Sequence, residues 1–238
     1  IRDGVPSIIN HDDKTGIEAA LTLREQVGGT VTVVSMGPPQ ADVALREALA
    51  MGCDEAILVS GREFGGSDTY ATSGILAAAL KKIGYDLIIT GRQAIDGDTA
   101  QVGPQIAEKL HVPQVSYVEE IKEAAEDYVV VRRQFEDGYH IIKIKTPCLL
   151  TAIAELATPR YMTVRGIVEA YEKEIKVLDF EALKDDLELD MIGLKGSPTN
   201  VYQSFTKEVK GAGTILKDLS ADEAVKAIVA KLEEKFII

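Results

Sequence analysis

The strongest constraint on this chain's fold is an alternation. Short apolar, β-branched runs recur with helix-patterned stretches between them. Thr30–Met36, Ala56–Val59 and Asp86–Thr90 are the runs, and Ala41–Met51 and Thr69–Lys82 lie between them. Parallel strands need a crossover, and a helix supplies it, so the pattern predicts an α/β fold: a doubly wound, mainly parallel sheet covered on both faces. Gly28-Gly29, Gly37-Pro38-Pro39 and Gly84 fall where the crossovers must turn. Thr15-Gly16-Ile17-Glu18 has capping-box spacing and predicts the start of the first helix. That helix carries the stripe Ile17, Ala20, Leu21 and Val27, interrupted by Arg24. Ligands in such sheets bind beyond the carboxyl ends of the strands, here Met36-Gly37, Ser60-Gly61 and Thr90-Gly91.

The third run feeds the stretch Gly91-Arg92-Gln93-Ala94-Ile95-Asp96-Gly97-Asp98-Thr99-Ala100-Gln101-Val102-Gly103, and Pro104–Leu110 has helical spacing. A strand that ends in glycine and opens through small polar residues into a helix is a phosphate cradle. Unpaired N–H groups and the positive end of the helix dipole both face the ligand. The residues therefore predict a nucleotide site. Thr99, Ala100 and Gln101 would present their amides. Asp96 and Asp98 either accept from ribose hydroxyls or cap the loop, and Arg92 either offsets phosphate charge or lies on the surface.

After Pro113 the pattern changes. Tyr128–Phe135 and Tyr139–Lys145 alternate and flank Glu136-Asp137-Gly138, which predicts an added antiparallel hairpin; Cys148–Ile153 returns to the main sheet. From Lys184 to Lys217 periodicity fades among scattered glycines, which predicts an extended arm. Ser220 and Glu223 then form a capping box for a terminal helix with the stripe Ala224, Ile228 and Leu232. The domain reading is a nucleotide-binding unit over 1–183 and a C-terminal arm and helix over 184–238 that packs on a partner subunit. At the other end, Arg2–Val5 reads as a loop.

Charge and composition exclude several roles. A net charge of −12 disfavours nucleic acid and anionic membrane surfaces, and zero tryptophan with few aromatics argues against a base-stacking platform. No apolar run approaches a membrane span, so no membrane insertion is expected, and the compartment reads as cytoplasmic. Cys53 and Cys148 belong to no CxxC pair and read as buried thiols. His11, His111 and His140 fit no metal or nucleophile constellation, so neither a catalytic residue nor a metal site is assigned.

Three segments together resemble the β subunit of electron-transfer flavoproteins: Gly91–Asp96, Ala50-Met51-Gly52-Cys53-Asp54, and Thr158-Pro159-Arg160-Tyr161-Met162-Thr163-Val164 preceded by Leu149–Ala152. The resemblance covers nearly the whole chain. It implies a heterodimer with a flavin-bearing α subunit and a nucleotide held by the β subunit: AMP in one branch, a second FAD in the electron-bifurcating branch. Carried onto this sequence, the nucleotide contacts are Asn10, Asp13, Met36, Gly91, Arg92, Gln93, Asp96, Gly97, Asp98, Thr99, Ala100, Gln101 and Val102. Residues 152–173 correspond to the family's docking loop for an acyl-CoA dehydrogenase or reductase, with Val164 at the anchor position; Arg160 and Arg165 flank it and either face partners or NADH or are buried structural arginines. Family members place a strand before the turn equivalent to Ile8-Ile9-Asn10, and that strand would be central to the sheet.

Gly97, Thr99 and Ala100 leave room for a pyrophosphate, and this stretch, with Gly196–Asn200, looks like the bifurcating branch. The resemblance then implies FAD as cofactor and NADH as hydride donor. Electrons would pass to ferredoxin and to the α-subunit FAD, with enzyme activity only inside the complex. An AMP-holding β subunit, or a nucleotide-binding module without redox chemistry, are the alternatives.

Overall fold

The computed structural model describes residues 6–203, 205 and 211–238. The expected loop at Arg2–Val5 and part of the expected arm, at 204 and 206–210, lie outside them.

Helix α1 (His11–Val27) leads into strand β1 (Thr32–Met36), followed by α2 (Asp42–Met51), β2 (Glu55–Val59), α3 (Thr69–Ile83) and β3 (Leu87–Gly91). The alternation thus folds as the pattern predicts. Helix α4 (Val102–Leu110) follows the glycine loop. Next come β4 (Gln114–Ala124), β5 (Tyr128–Phe135), β6 (Gly138–Lys145) and β7 (Cys148–Ala152), then α5 (Val164–Glu172), β8 (Ile175–Leu178) and the short α6 (Phe180–Leu183).

The strands form two sheets. One has the order β1-β2-β8 and is parallel throughout, with Thr32 opposite Glu55 and Met36 opposite Val59. The other has the order β3-β7-β4-β5-β6; β3, β7 and β4 are parallel, while β5 and β6 turn back as a hairpin. The class is α/β, and β1 and β3 each form the outer strand of their own sheet.

Helices on opposite faces tie the two sheets together. On one face, α1 sends Ile17 and Leu21 into the cluster with Val33 and Leu58, while Gly16 lies so close to β3 that a Cβ there would sit 3.0 Å from Ile89. On the other, Ile75 of α3 packs with Val59, and Leu76 reaches both that cluster and the one around Ile88 and Leu149.

Four local differences from the sequence pattern have physical causes. Helix α1 begins at His11, not at a Thr15 capping box: Thr15 is buried mid-helix with its hydroxyl donating to the His11 carbonyl at 3.1 Å, and Glu18 is engaged elsewhere. Arg24 interrupts the stripe because its Nη1 donates to the Gly52 carbonyl and to Asp54, both at 2.9 Å, closing the α2–β2 turn. In the hairpin, Gly138 already pairs with Phe135, so Glu136-Asp137 forms the tip. Strand β4 escapes period-two reading because register shifts at Val118/Glu120 and Ile121/Glu123 break the alternation.

The chain divides by contacts into Ile1–Asn200 and Val201–Ile238. In the second unit, α7 (Ala221–Glu234) has both hydrogen bonds of the expected Ser220–Glu223 capping box.

Candidate functional site

Beyond the carboxyl end of β3, three backbone features shape the loop. Gly91 is buried against the start of α1: a Cβ there would lie 2.8 Å from the Asp13 amide nitrogen and 3.0 Å from Asn10 Nδ2, so only glycine fits. Asp98 and Ala100 then adopt positive φ, +49° and +52°. Such a conformation is uncommon without glycine and costs of order 1 kcal/mol each. Gln101 follows Ala100 at φ −111°, and neighbouring residues of opposite φ turn successive N–H groups into one concavity, the arrangement that receives anions. Finally, α4 starts at Val102 with no side-chain cap and no acidic residue in its first turn, so its leading amides and dipole are left for a ligand. Gly103 packs under that turn, where a Cβ would meet Thr90 Oγ1 at 2.7 Å.

The structure brings most of the sequence-selected residues together, in two groups. Asn10, Asp13, Gly91 and Gln93 form the anchor. Asn10 Nδ2 donates to Asp13 Oδ2 and to the Gln93 carbonyl, each at 2.8 Å, and Asp13 Oδ1 accepts from the Gly91 N–H at 2.6 Å. Burial pushes the Asp13 carboxyl above its usual pKa even against these hydrogen bonds. The Asn10 and Asp13 side chains are thus occupied in bolting the α1 turn to the loop. Arg92 Nε lies 3.6 Å from Asp12, buried and without a hydrogen-bond partner, at the loop's root.

The second group is the rim. Gln93 Nε2 donates to Asp98 Oδ1 at 2.8 Å across the loop, while Asp96, Gly97, Asp98, Thr99 and Gln101 face outward and Val102 is half-buried. A Cβ built at Gly97 meets nothing within 4 Å. Met36 is not brought to this group by any recorded contact: it ends β1 and packs with the cluster around Val59 and Phe64. Sequence reasoning also missed Thr69, whose hydroxyl donates to Gln101 Oε1 at 2.9 Å. Nothing in the local pattern of α3 singles that residue out.

The Pro-Arg-Tyr segment lies elsewhere in the same unit. Arg160 is a structural clasp: its guanidinium donates to both carboxylate oxygens of Glu18 at 2.9–3.1 Å and to Glu25 at 2.6 Å, tying the segment to α1. Arg165 is by contrast open, paired only to Glu169 one turn on. Helix α5 sits hard against α2, since a Cβ at Gly166 would lie 2.6 Å from the Ala50 carbonyl oxygen, and Thr163 caps its first turn. That contact explains why the Ala50–Asp54 and Thr158–Val164 segments belong together. Tyr161, Val164 and Val168 project into solvent, Val164 at 82% exposure.

Cys53 and Cys148 are fully buried, and burial, the largest influence on each, pushes both thiols up to about 11. Among the described residues, no cluster of His, Cys, Asp and Glu can hold a metal ion, and no helix is long and apolar enough to cross a membrane.

Comparison with known proteins agrees with the geometry. Residues 1–183 match the family model described as electron transfer flavoprotein domain. The electron transfer flavoprotein subunit beta of Clostridium acetobutylicum is 55% identical over 240 residues, covering all of this chain and 90% of the relative. The acryloyl-CoA reductase electron transfer subunit gamma of Anaerotignum propionicum is 54% identical over 243 residues, with the same coverage. A subunit of the caffeyl-CoA reductase-Etf complex of Acetobacterium woodii is 51% identical over 240 residues, again over all of this chain and 90% of its own length. The chain belongs to the electron transfer flavoprotein family, as one of its β subunits.

Proposed function

We propose that this β subunit holds FAD in the Gly91–Val102 loop and serves electron bifurcation from NADH. The observation that carries the reading is the loop's backbone: positive φ at Asp98 and Ala100, followed by the uncapped amides of α4. In this reading the amides of Thr99, Ala100, Gln101 and Val102 receive the pyrophosphate, with the Thr99 hydroxyl assisting. Asp96 and Asp98 lie at the rim, where ribose hydroxyls would reach carboxylate acceptors, and Arg92 adds positive charge at the loop's root. A Cβ at Gly97 would meet nothing within 4 Å, so the loop does not crowd a pyrophosphate there.

When bound, such a flavin supplies hydride acceptance from NADH and release of the two electrons singly, one to a ferredoxin-type acceptor and one to the α-subunit FAD. This chain's own part is to bind and orient the group; among the described residues, no side chain is arranged as a nucleophile or acid–base pair.

The partners follow the same reading. The chain pairs with an electron transfer flavoprotein α subunit, and its second unit offers it an apolar surface: Val225, Ile228, Phe236 and Ile237 are exposed on and just beyond α7. The exposed face of α5 around Val164 takes an acyl-CoA dehydrogenase or reductase. The names of the acryloyl-CoA and caffeyl-CoA reductase relatives support the reductase type. The setting is cytoplasmic.

The test is to purify the heterodimer, release its nucleotides with acid and separate them by chromatography. Two FAD per dimer, with bleaching by NADH under anoxic conditions, is the expected result. One FAD with AMP makes this an AMP-holding subunit, and a chain that carries nucleotide without a flavin-bearing partner is a binding module outside redox chemistry.

A further inference from the structure

The segment Ile192–Asn200 contributes no contact to the proposed nucleotide loop, yet it is fitted with unusual closeness. Gly193 has φ +60°, and a Cβ there would lie 2.3 Å from the Glu63 carbonyl oxygen; at Gly196 it would lie 2.0 Å from the Met191 carbonyl carbon. Only glycine permits either approach. The segment thereby straps the start of α3.

Each bond in the strap has a named partner. Ser197 Oγ donates to the Gly193 carbonyl at 2.7 Å and accepts from the Asp68 N–H at 2.8 Å. The Gly193 N–H donates to Ser67 Oγ at 3.1 Å. The Asp68 carboxylate accepts from the Thr199 N–H through Oδ2 at 2.9 Å and from the Ala71 N–H through Oδ1 at 3.0 Å, which makes it the N-cap of α3. Burial acts to raise the Asp68 pKa, but these hydrogen bonds together hold it below the usual range.

From that cap, α3 sets the height of α4. Thr69 Oγ1 donates to Gln101 Oε1 at 2.9 Å, Ser73 Oγ to Gln105 Oε1 at 3.0 Å, and Lys109 Nζ sits 3.8 Å above the Tyr70 ring. Gln101, Gln105 and Lys109 are successive positions on one face of α4, so the contacts form a ladder along it.

We propose that Ser197 and Thr69 are positioning residues for the nucleotide loop. Ser197 fixes Asp68, Asp68 fixes the first turn of α3, and Thr69 hands that placement to Gln101, whose N–H is one of the amides assigned to phosphate. The proposal rests on the nucleotide reading of that loop. It also makes the effect reciprocal: a ligand that orders Gln101 orders the strap by the same free energy.

The experiment compares the full chain with Thr69→Val, Thr69→Ser and Ser197→Ala, by amide hydrogen exchange and by titration with FAD and with AMP. In the nucleotide-free chain, Thr69→Val should speed exchange at the Gln105 amide, which donates to the Gln101 carbonyl at 3.0 Å, by roughly three- to tenfold and weaken binding by a similar factor, the range of one lost hydrogen bond. Thr69→Ser should restore both. Ser197→Ala should loosen residues 193–199 and carry the same change through to Gln105. In the parent, nucleotide should slow exchange at residues 193–199. Unchanged exchange at Gln105 in both Thr69→Val and Ser197→Ala overturns the proposal, as does faster exchange with unaltered affinity. A parent that binds neither nucleotide overturns the functional reading instead, and the exchange comparison in the free chain still decides the positioning.

Discussion

Replacing Arg160 by methionine keeps most of the side chain's length and removes the charge that clasps α1. The Glu18 side chain is 11% exposed and Arg160 32%. Losing a partner inside a buried ion pair costs about 3–5 kcal/mol, whereas an exposed pair contributes about 0.2–1 kcal/mol. The half-open guanidinium places the Arg160–Glu18 pair between these, at about 2 kcal/mol. For a unit of this size that is a fall in Tm of about 4–8 °C at pH 7.

The pH dependence has a defined sign. Burial alone would raise the Glu18 pKa, but the hydrogen bonds and charge of Arg160 outweigh it and the net shift is downward from 4.5. A carboxyl depressed in the fold contributes stability above its unfolded pKa and loses it as the pH falls through the folded value. The difference between parent and Arg160→Met should therefore be full at pH 7 and shrink below about pH 4.5. Thermal unfolding followed by circular dichroism at several pH values, on the parent, Arg160→Met, Glu18→Gln and the double variant, measures both quantities. A variant that melts within one degree of the parent, or a coupling energy below about 0.5 kcal/mol, refutes the assignment of Arg160 as a clasp.

Two further substitutions or probes read other parts of the fold. Gly103→Ala drives a Cβ to 2.7 Å from Thr90 Oγ1 and 3.0 Å from Thr151 Cγ2. It should cost about 1–3 kcal/mol in urea unfolding, and Thr90→Ala in the same chain should recover part of that loss. Cys53 and Cys148, buried and with thiol pKa values of about 11, should ignore a water-soluble disulfide reagent at pH 8 in the native chain and react at once in guanidinium.

Strands β2 and β7 were legible because they are buried on both faces and read as continuous apolar runs: Ala56–Val59 is buried at every position, as is Cys148–Ala152; the parallel β8, with Lys176 and Val177 exposed, left no such mark. Gly91 was legible for a related reason, since close approach leaves a compositional mark. β4 was not, because its bulges put Val118 and Ile121 out of phase and the charged residues Glu119, Glu120, Lys122 and Glu123 are interleaved with them. The division into two sheets is set by which strand edges pair, a property no single run encodes. In the site, the glycines and small residues announced the loop. The Thr69 contact to it stayed hidden, because Thr69–Gln101 joins positions 32 residues apart; the Arg160–Glu18 clasp, elsewhere in the unit, spans 142. Asn10 and Asp13 were selected as ligand contacts, and the structure shows what else those side chains do.

Helix α5 rests on the Ala50 carbonyl with room for nothing larger than hydrogen at Gly166. Val164, Ile167, Val168 and Tyr171 are therefore displayed on a helix packed closely against its neighbour. A protein arriving there forfeits little conformational freedom of this backbone, so its residence is governed by how well its own contour matches those four side chains.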